Sequence, residues 1–242
     1  MIPKIIHYCW FGNKELPDKV KSCISTWEKI LPEYEIICWN ETNFDVDICD
    51  FTREAYEVGK YAFVSDYVRF YALDKLGGIY LDTDMEILKP IDELLKNNYF
   101  FGFENETGRV ASCMIGSKKN HLFNKEMLNY YNERSFILDN KKFDMRPNTL
   151  IIEDVLNEKY GYRLNGKEII LDDIHIYPND YLHPLNIITN ELNITNNTYA
   201  IHWHTGLWVG WRTKLVKFIR LNIFIPLFGE NGYRFIENFR KR

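Results

Sequence analysis

Several things are missing from this 242-residue chain, and each absence narrows what it can be. There is no uninterrupted apolar run of about 18 residues, so no bilayer-spanning helix is expected. No basic leader followed by an apolar segment opens it, so no secretory signal is expected either. The five cysteines (Cys9, Cys23, Cys38, Cys49, Cys113) form no Cys-x-x-Cys pair and are odd in number. They read as reduced, partly buried thiols of a cytoplasmic protein rather than a disulfide framework. Positive charge is not in excess: the net charge is −4, which gives no general case for nucleic acid. Internal repeats, low-complexity stretches and linkers are absent too, so residues 1–242 are expected to form a single domain. What is plentiful is apolar and aromatic side chains, 46% and 16% of the chain, enough for a substantial core and incompatible with disorder.

The centre of the sequence is Gly77-Gly78-Ile79-Tyr80-Leu81-Asp82-Thr83-Asp84. A Gly-Gly break ends a helical pattern, a short apolar run follows, and two carboxylates stand two apart beyond it. On a strand, residues two apart face the same way, so Asp82 and Asp84 are expected on one side. Two hard oxygen ligands near a strand end suit Mg²⁺ or Mn²⁺. Such an ion can hold a diphosphate and neutralise its charge as it leaves.

Earlier in the chain, residues 2–12 read as a buried strand with Trp10 at its C-terminal end, where open α/β sheets place ligands. Trp10 is either a core tryptophan or a plate for a nucleotide base. Val20, Ile24, Trp27 and Ile30 recur at helical spacing, and residues 34–39 form a second strand, which together make a βαβ unit. Residues 53–76 are a helical stretch interrupted near Gly59. Asp66 and Arg69 are three apart on one face of it. They are either a surface ion pair worth about 0–1 kcal/mol or groups that hold sugar hydroxyls or diphosphate, since a planar guanidinium suits phosphate oxygens. Strands are expected over 99–104 and 111–116, a helix over 121–132 capped by Asn120, and a helix begun or capped by Glu153 and Asp154.

Three stretches together, Ile5-Ile6-His7-Tyr8-Cys9-Trp10-Phe11-Gly12, Ala62-Phe63-Val64-Ser65-Asp66-Tyr67-Val68-Arg69-Phe70-Tyr71-Ala72-Leu73 and the Gly77–Asp84 segment, resemble glycosyltransferase family 32. That family includes bacterial capsular-polysaccharide transferases, fungal initiating mannosyltransferases and the catalytic domains of clostridial glucosylating toxins. The resemblance covers roughly residues 1–120. It implies a GT-A fold, an α/β nucleotide-sugar-binding architecture with a mixed central sheet flanked by helices. It also implies a nucleotide-sugar donor (a UDP-sugar), a divalent metal (Mn²⁺ or Mg²⁺) and retention of anomeric configuration. By the same resemblance, Trp10 stacks on the base, Asp66 and Arg69 hold the donor sugar, and Tyr80 sits beside the donor. Asp82 contacts ribose and the metal shell, and Asp84 ligates the ion.

A second cluster, Tyr199 to Arg212, contains His202-Trp203-His204. If a strand begins at Ile201, His202 and His204 share a face, and imidazole can complete a carboxylate metal site. In the family, a segment of this kind closes over metal and diphosphate. His202 matches its leading His and Trp208 its closing Trp, with His202, His204 or another group left open as third ligand and a structural His stacked among Trp203, Trp208 and Trp211 as the other reading. Residues 212–242 then carry eight Lys/Arg against two acids, a net +6. Interleaved with apolar residues, they read as a basic helical tail broken at Pro226 and Gly229. That tail either packs on the core or rests, through 212–225 and its Lys214, Lys217 and Arg220, on the anionic inner face of the cell membrane.

The expectation is therefore a retaining, metal-dependent hexosyltransferase of surface or capsular polysaccharide synthesis, acting on a saccharide or lipid-linked acceptor. The rival readings are a haloacid-dehalogenase-like phosphatase, which also uses Asp-x-Asp after a strand, and a non-catalytic sugar-binding module.

Overall fold

The computed structural model describes residues 1–104, 108–163, 168–206 and 211–240, apart from the side chains of 211–214, 231 and 234–240. Strand β1 (Ile5–Cys9), helix α1 (Asp18–Ile30) and strand β2 (Glu35–Trp39) form the expected βαβ unit of a parallel sheet, with Ile5–Cys9 paired in register to Glu35–Trp39. The first strand is shorter than its apolar run: Ile2 instead anchors to the carbonyl of Leu95, and Trp10 lies just past the strand end. Helix α2 (Asp50–Glu57) and helix α3 (Tyr61–Leu76) flank the break at Gly59.

Strand β3 (Gly78–Leu81) is central, buried throughout, parallel to β1 and antiparallel to β6 (Val110–Ser117). Both glycines at its start are required. Gly77 has φ +68 and Gly78 φ +106, and a Cβ on Gly78 would stand 2.5 Å from the carbonyl oxygen of Ile5. That close approach is fixed by His7, whose ring contacts the Gly77 carbonyl at 2.7 Å while its Nδ1 accepts from the Trp39 indole at 3.1 Å. Nε2 therefore carries the proton and donates. Burial holds His7 down at about 4, so it stays neutral and structural.

Strand β4 (Met85–Ile87) leaves this sheet and pairs antiparallel with a later strand, β9 (Ala200–His202). The seven-stranded mixed sheet is completed by β5 (Tyr99–Phe103), β7 (Ile169–Leu171) and β8 (Ile174–Tyr177), in the order β2-β1-β3-β6-β5-β8-β7. Alternation along the strands feeds two cores. Tyr80, Tyr99, Phe101 and Phe103 face helices α2 and α3 together with α4 (Leu122–Asn132) and α5 (Asn148–Tyr160). Ile79, Leu81 and Phe100 face Trp27 of α1 and Leu182 of the short helix α6 (Asn179–Leu182). This is the α/β architecture with a mixed sheet flanked by helices that the sequence led us to expect.

Three local expectations fail. Helix α4 is capped by His121, whose Nδ1 accepts from the Phe123 amide at 3.2 Å, whereas Asn120 takes a left-handed turn at φ 60. Helix α5 starts at Asn148 after Pro147, so Glu153 and Asp154 lie in its interior; they pair with Arg109 and Arg146 instead of capping. The tail is helical through Pro226: α7 (Trp211–Ile219) passes into a π-helical turn over Arg220–Phe224 and on into α8 (Ile225–Arg240), with the non-helical residue at Gly229. A proline that cannot donate to the carbonyl four residues back gives a reason for the wide turn immediately before it.

Candidate active site

At the C-terminal ends of β1 and β3 lies a cavity of about 290 Å³. Asp66, Arg69, Tyr80, Asp82, Asp84 and His202 all line it, so six of the eight expected site residues converge although they span 137 positions of sequence, from 66 to 202 counted inclusively. Trp10 follows Cys9, which lines the cavity, but is itself outside the lining; its indole N–H donates to the carbonyl of Lys14. Trp208 lies outside the described residues.

The Asp-x-Asp is not on a strand. β3 ends at Leu81 and Asp82-Thr83-Asp84 forms the turn into β4. The period-two argument for a shared face therefore does not apply. The turn brings both carboxylates to the cavity because the Asp82 amide is tied to the Cys113 carbonyl at 2.8 Å and the Met85 amide to the Asp82 carbonyl at 3.0 Å.

Arg69 organises one wall. It is only 5% exposed. Its guanidinium donates to the Ser112 carbonyl at 2.7 Å and to Asp66 Oδ1 at 2.7 Å, lies 3.6 Å from Asp82 Oδ1, and stacks 4.6 Å over the Tyr80 ring. Tyr80 in turn donates to Asp82 Oδ1 at 3.1 Å. The pair is therefore buried, not the solvated surface ion pair that spacing alone allowed. Burial pushes Asp66 up to about 7, with Asp82 adding to the rise and Arg69 opposing it. Arg69 itself stays fully charged: burial works against the cation, but Tyr80, Asp82 and Asp66 outweigh it.

Asp84 anchors the other wall. Its Oδ2 accepts from the Thr205 amide at 2.8 Å and the Thr205 hydroxyl at 2.9 Å, and its Oδ1 faces His202 Nε2 at 3.1 Å. Burial opposes the anion, but His202 and Thr205 hold Asp84 well below the usual carboxylate range. His202 is correspondingly raised: burial disfavours its charge, and Cys113 and Asp84 overcome that. β9 ends at His202, and His204 turns away at φ 47, yet the two rings meet at 3.8 Å between centroids and both line the cavity. Burial, then His202 and His183, keep His204 neutral.

This donor set fits a hard divalent cation. Two carboxylates and an imidazole border one cavity, Asp84 is held ionised, and neutral His204 offers a lone pair beside His202. Thr205 and the Ser112 carbonyl, which carry much of this geometry, had no signal in the sequence; a threonine and a main-chain oxygen acquire these roles only when distant strands meet.

A family model matches the segment that carries most of the site. The family model described as "Glycosyltransferase sugar-binding region containing DXD motif" matches residues 17–101, the segment that ends in β5 and contains Asp66, Arg69, Tyr80, Asp82 and Asp84. Over residues 17–101 the chain is therefore similar to these DXD glycosyltransferases, the family 32-like group that its motifs resemble. An uncharacterised glycosyltransferase of Acanthamoeba polyphaga mimivirus is 26% identical over 250 residues, covering 96% of this chain and 90% of that protein. Inositol phosphoceramide mannosyltransferase 3 of Schizosaccharomyces pombe is 31% identical over 134 residues, half of this chain. The match spans only 35% of the yeast protein's length. Among solved structures, PaToxG glycosyltransferase superposes with a TM-score of 0.48 at 18% identity, covering 66% of this chain and 70% of that one.

Proposed function

We propose that this chain transfers a hexose from a nucleotide-sugar, in the first instance a UDP-sugar, to a saccharide or lipid-linked acceptor, with retention of configuration and dependence on Mn²⁺ or Mg²⁺. The observation that carries the reading is the convergence of a buried Asp66–Arg69 pair and the Asp82/Asp84 turn on one cavity at strand C-termini. Arg69 is fixed by three protein oxygens and so presents a rigid guanidinium edge toward whatever enters; Asp66 beside it accepts from sugar hydroxyls. Tyr80 holds Asp82 in place, and Thr205 does the same for Asp84. A divalent cation held by Asp84, with Asp82 and His202 or His204 beside it, would supply the positive charge that a departing diphosphate needs. Trp10, one residue from the cavity wall, serves as the base plate if its loop turns inward, and Trp208 completes the closing segment.

An acceptor carried on lipid is supported from a different direction. The yeast relatives are named for mannosyl transfer to inositol phosphoceramide, and the C-terminal helices of this chain expose Leu215, Phe218, Ile223, Leu227 and Phe228 at 48 to 68%. Among the described residues no helix is long and apolar enough to cross a membrane. We read 212–225 as a segment that rests on an anionic leaflet, with the work directed to surface polysaccharide or glycolipid.

The deciding experiment is a screen of UDP- and GDP-sugars for hydrolysis with and without Mn²⁺, followed by NMR of the product anomer. Metal-dependent hydrolysis of one sugar nucleotide with a retained anomer is expected. Phosphate release from p-nitrophenyl phosphate, with every sugar nucleotide untouched, would replace the reading with a phosphatase. Saccharide affinity without any turnover would replace it with a binding module.

A further inference from the structure

Behind the Asp-x-Asp turn lies a second cluster with a different chemistry. Cys113 on β6, His183 after α6 and His202 at the end of β9 come from three separate elements, and one ligand atom from each lies within 4.8 Å of the others. Cys113 and His183 are 3% and 2% exposed. The Cys113 sulfur stands 3.5 Å from His183 Nε2 and 3.6 Å from its Nδ1. Being equidistant from both nitrogens, the sulfur is well aligned with neither N–H. A tetrahedral ion with its usual sulfur and nitrogen bond lengths separates two such ligands by about 3.5 Å, so the spacing already fits, and the His183 ring has to turn to aim a lone pair at a shared ion. The His183 and His202 rings cross at 77° with centroids 6.0 Å apart, so closing the set around one ion asks both imidazoles to reorient.

We propose that Cys113, His183 and His202 form a site for a thiophilic divalent ion of the zinc class, distinct from the hard-metal position at Asp82 and Asp84. Thiolate and imidazole select zinc, whereas carboxylates select magnesium and manganese. Of the three ligands, His202 is the one that lines the cavity. Capture releases one proton from Cys113 and one from the charged His202 to solvent, so the sulfur binds as thiolate and the imidazole as a neutral ligand. The two positions share His202. An ion on Cys113, His183 and His202 draws that imidazole from Asp84 and from the hard-metal shell, so zinc should act as an inhibitor. Binding itself stands whether or not the chain transfers sugars; only the inhibition rests on that reading.

The test uses the full chain titrated with Co²⁺, whose bond to a thiolate gives an intense charge-transfer band in the near ultraviolet that carboxylate or imidazole ligands do not give. Wild type should show the band and bind one zinc competitively with it; absence of the band overturns the proposal outright. Cys113→Ser and His183→Asn should each weaken binding by at least about tenfold, read beside thermal unfolding curves that confirm the fold. An unchanged band in folded Cys113→Ser also overturns it, since another thiol such as Cys9 would then be the source, and so does unchanged affinity in folded His183→Asn. If Cys113→Ser does not fold, His183→Asn and protection of Cys113 from alkylation by zinc decide: loss of protection in His183→Asn supports the site, and no protection in wild type overturns it. With donor hydrolysis as readout, Cys113→Ser should need about tenfold more zinc for half-inhibition. Equal inhibition of both proteins overturns the shared use of His202.

Discussion

The cradle at the C-terminal end of the sheet and the helices from Trp211 onward use the same residue types in opposite ways. In the cradle, cations and aromatics are locked to one another: Arg69 is 5% exposed, stacked on Tyr80 and bonded to Ser65, Asp66 and Ser112. In the tail, Phe218 and Leu227 are 60% and 68% exposed, and Leu215, Ile219, Ile223 and Leu227 recur every fourth residue. The cations there turn inward. Lys217 donates to the His204 carbonyl at 3.0 Å and Arg220 to the Ile187 carbonyl at 2.6 Å. Of the three basic residues expected to meet lipid, two therefore fasten the tail to the body, and Lys214's side chain lies outside the described residues. A preorganised pocket stores its binding energy in fixed polar geometry; an exposed apolar stripe stores it in surface still to be buried.

The sharpest break in the comparison is Asp84→Asn. The amide keeps the shape and the Thr205 contacts but loses the charge that pairs with His202 and holds an ion. Turnover of the donor should fall about 10³-fold, the scale of losing one preorganised electrostatic group, while circular dichroism is unchanged. Wild-type turnover by the variant, or by wild type in excess EDTA, would remove Asp84 from the metal shell.

Next in size is Arg69→Met set against Arg220→Met. Removing Arg69 leaves the half-buried Asp66 and Asp82 carboxylates without their cation and two main-chain carbonyls without their donor, which should cost about 3–5 kcal/mol. Arg220 donates to a single carbonyl at a partly exposed position, and its loss should cost no more than about 1 kcal/mol. Denaturant melts of both variants check the contrast; similar losses would mean that the cradle is no better ordered than the tail.

Much of this division was readable beforehand, for identifiable reasons. The Gly77-Gly78 break, the βαβ start and the Asp66/Arg69 spacing are short-range signals, and their consequences are local. The period-two expectation for Asp82 and Asp84 reached the right cavity through the wrong element, because pattern alone does not mark where β3 stops and a turn begins. Thr205, Ser112 and His183 were not readable at all: their roles depend on β6 and β9 meeting the Asp-x-Asp turn from 28 (Ser112 to Asp84) to 121 residues away (Thr205 to Asp84). In the tail, the apolar and basic composition was plain, but which set faced outward was not. That is decided by two main-chain carbonyls, which no side-chain pattern reports.

A subtler probe of the cradle is the pH dependence of stability. Asp66 holds its proton up to about 7 in the folded chain, against an ordinary value of 3.8. Between those values the folded state binds more protons than the unfolded one, so this residue makes stability decline as pH rises from 3.8 to about 7, with no contribution to the slope outside that window. Asp66→Asn is less stable overall, having weakened the Arg69 pair, but should show a flatter stability profile over that window. Parallel profiles for wild type and variant would mean that Arg69 keeps Asp66 ionised throughout.

The smallest expected effect on stability is the most informative about the tail. In the double substitution Phe218→Ser, Leu227→Ser both side chains are already mostly in water, so the folded state loses little burial and stability should move by no more than about 0.5 kcal/mol. A phenylalanine-to-serine change at Phe70, fully buried against Phe123, should by contrast cost about 3–5 kcal/mol. The same double substitution should lower co-sedimentation with anionic vesicles severalfold while hydrolysis of a soluble donor is retained, because interfacial binding scales with the apolar area inserted. Raising salt separates the two contributions: a charge-driven attachment through Lys214 and the C-terminal cations weakens as screening grows, whereas insertion of Phe218 and Leu227 does not. If the double variant melts several degrees earlier and binds vesicles as wild type does, the stripe packs against protein in solution, and the contrast between cradle and tail is one of degree only.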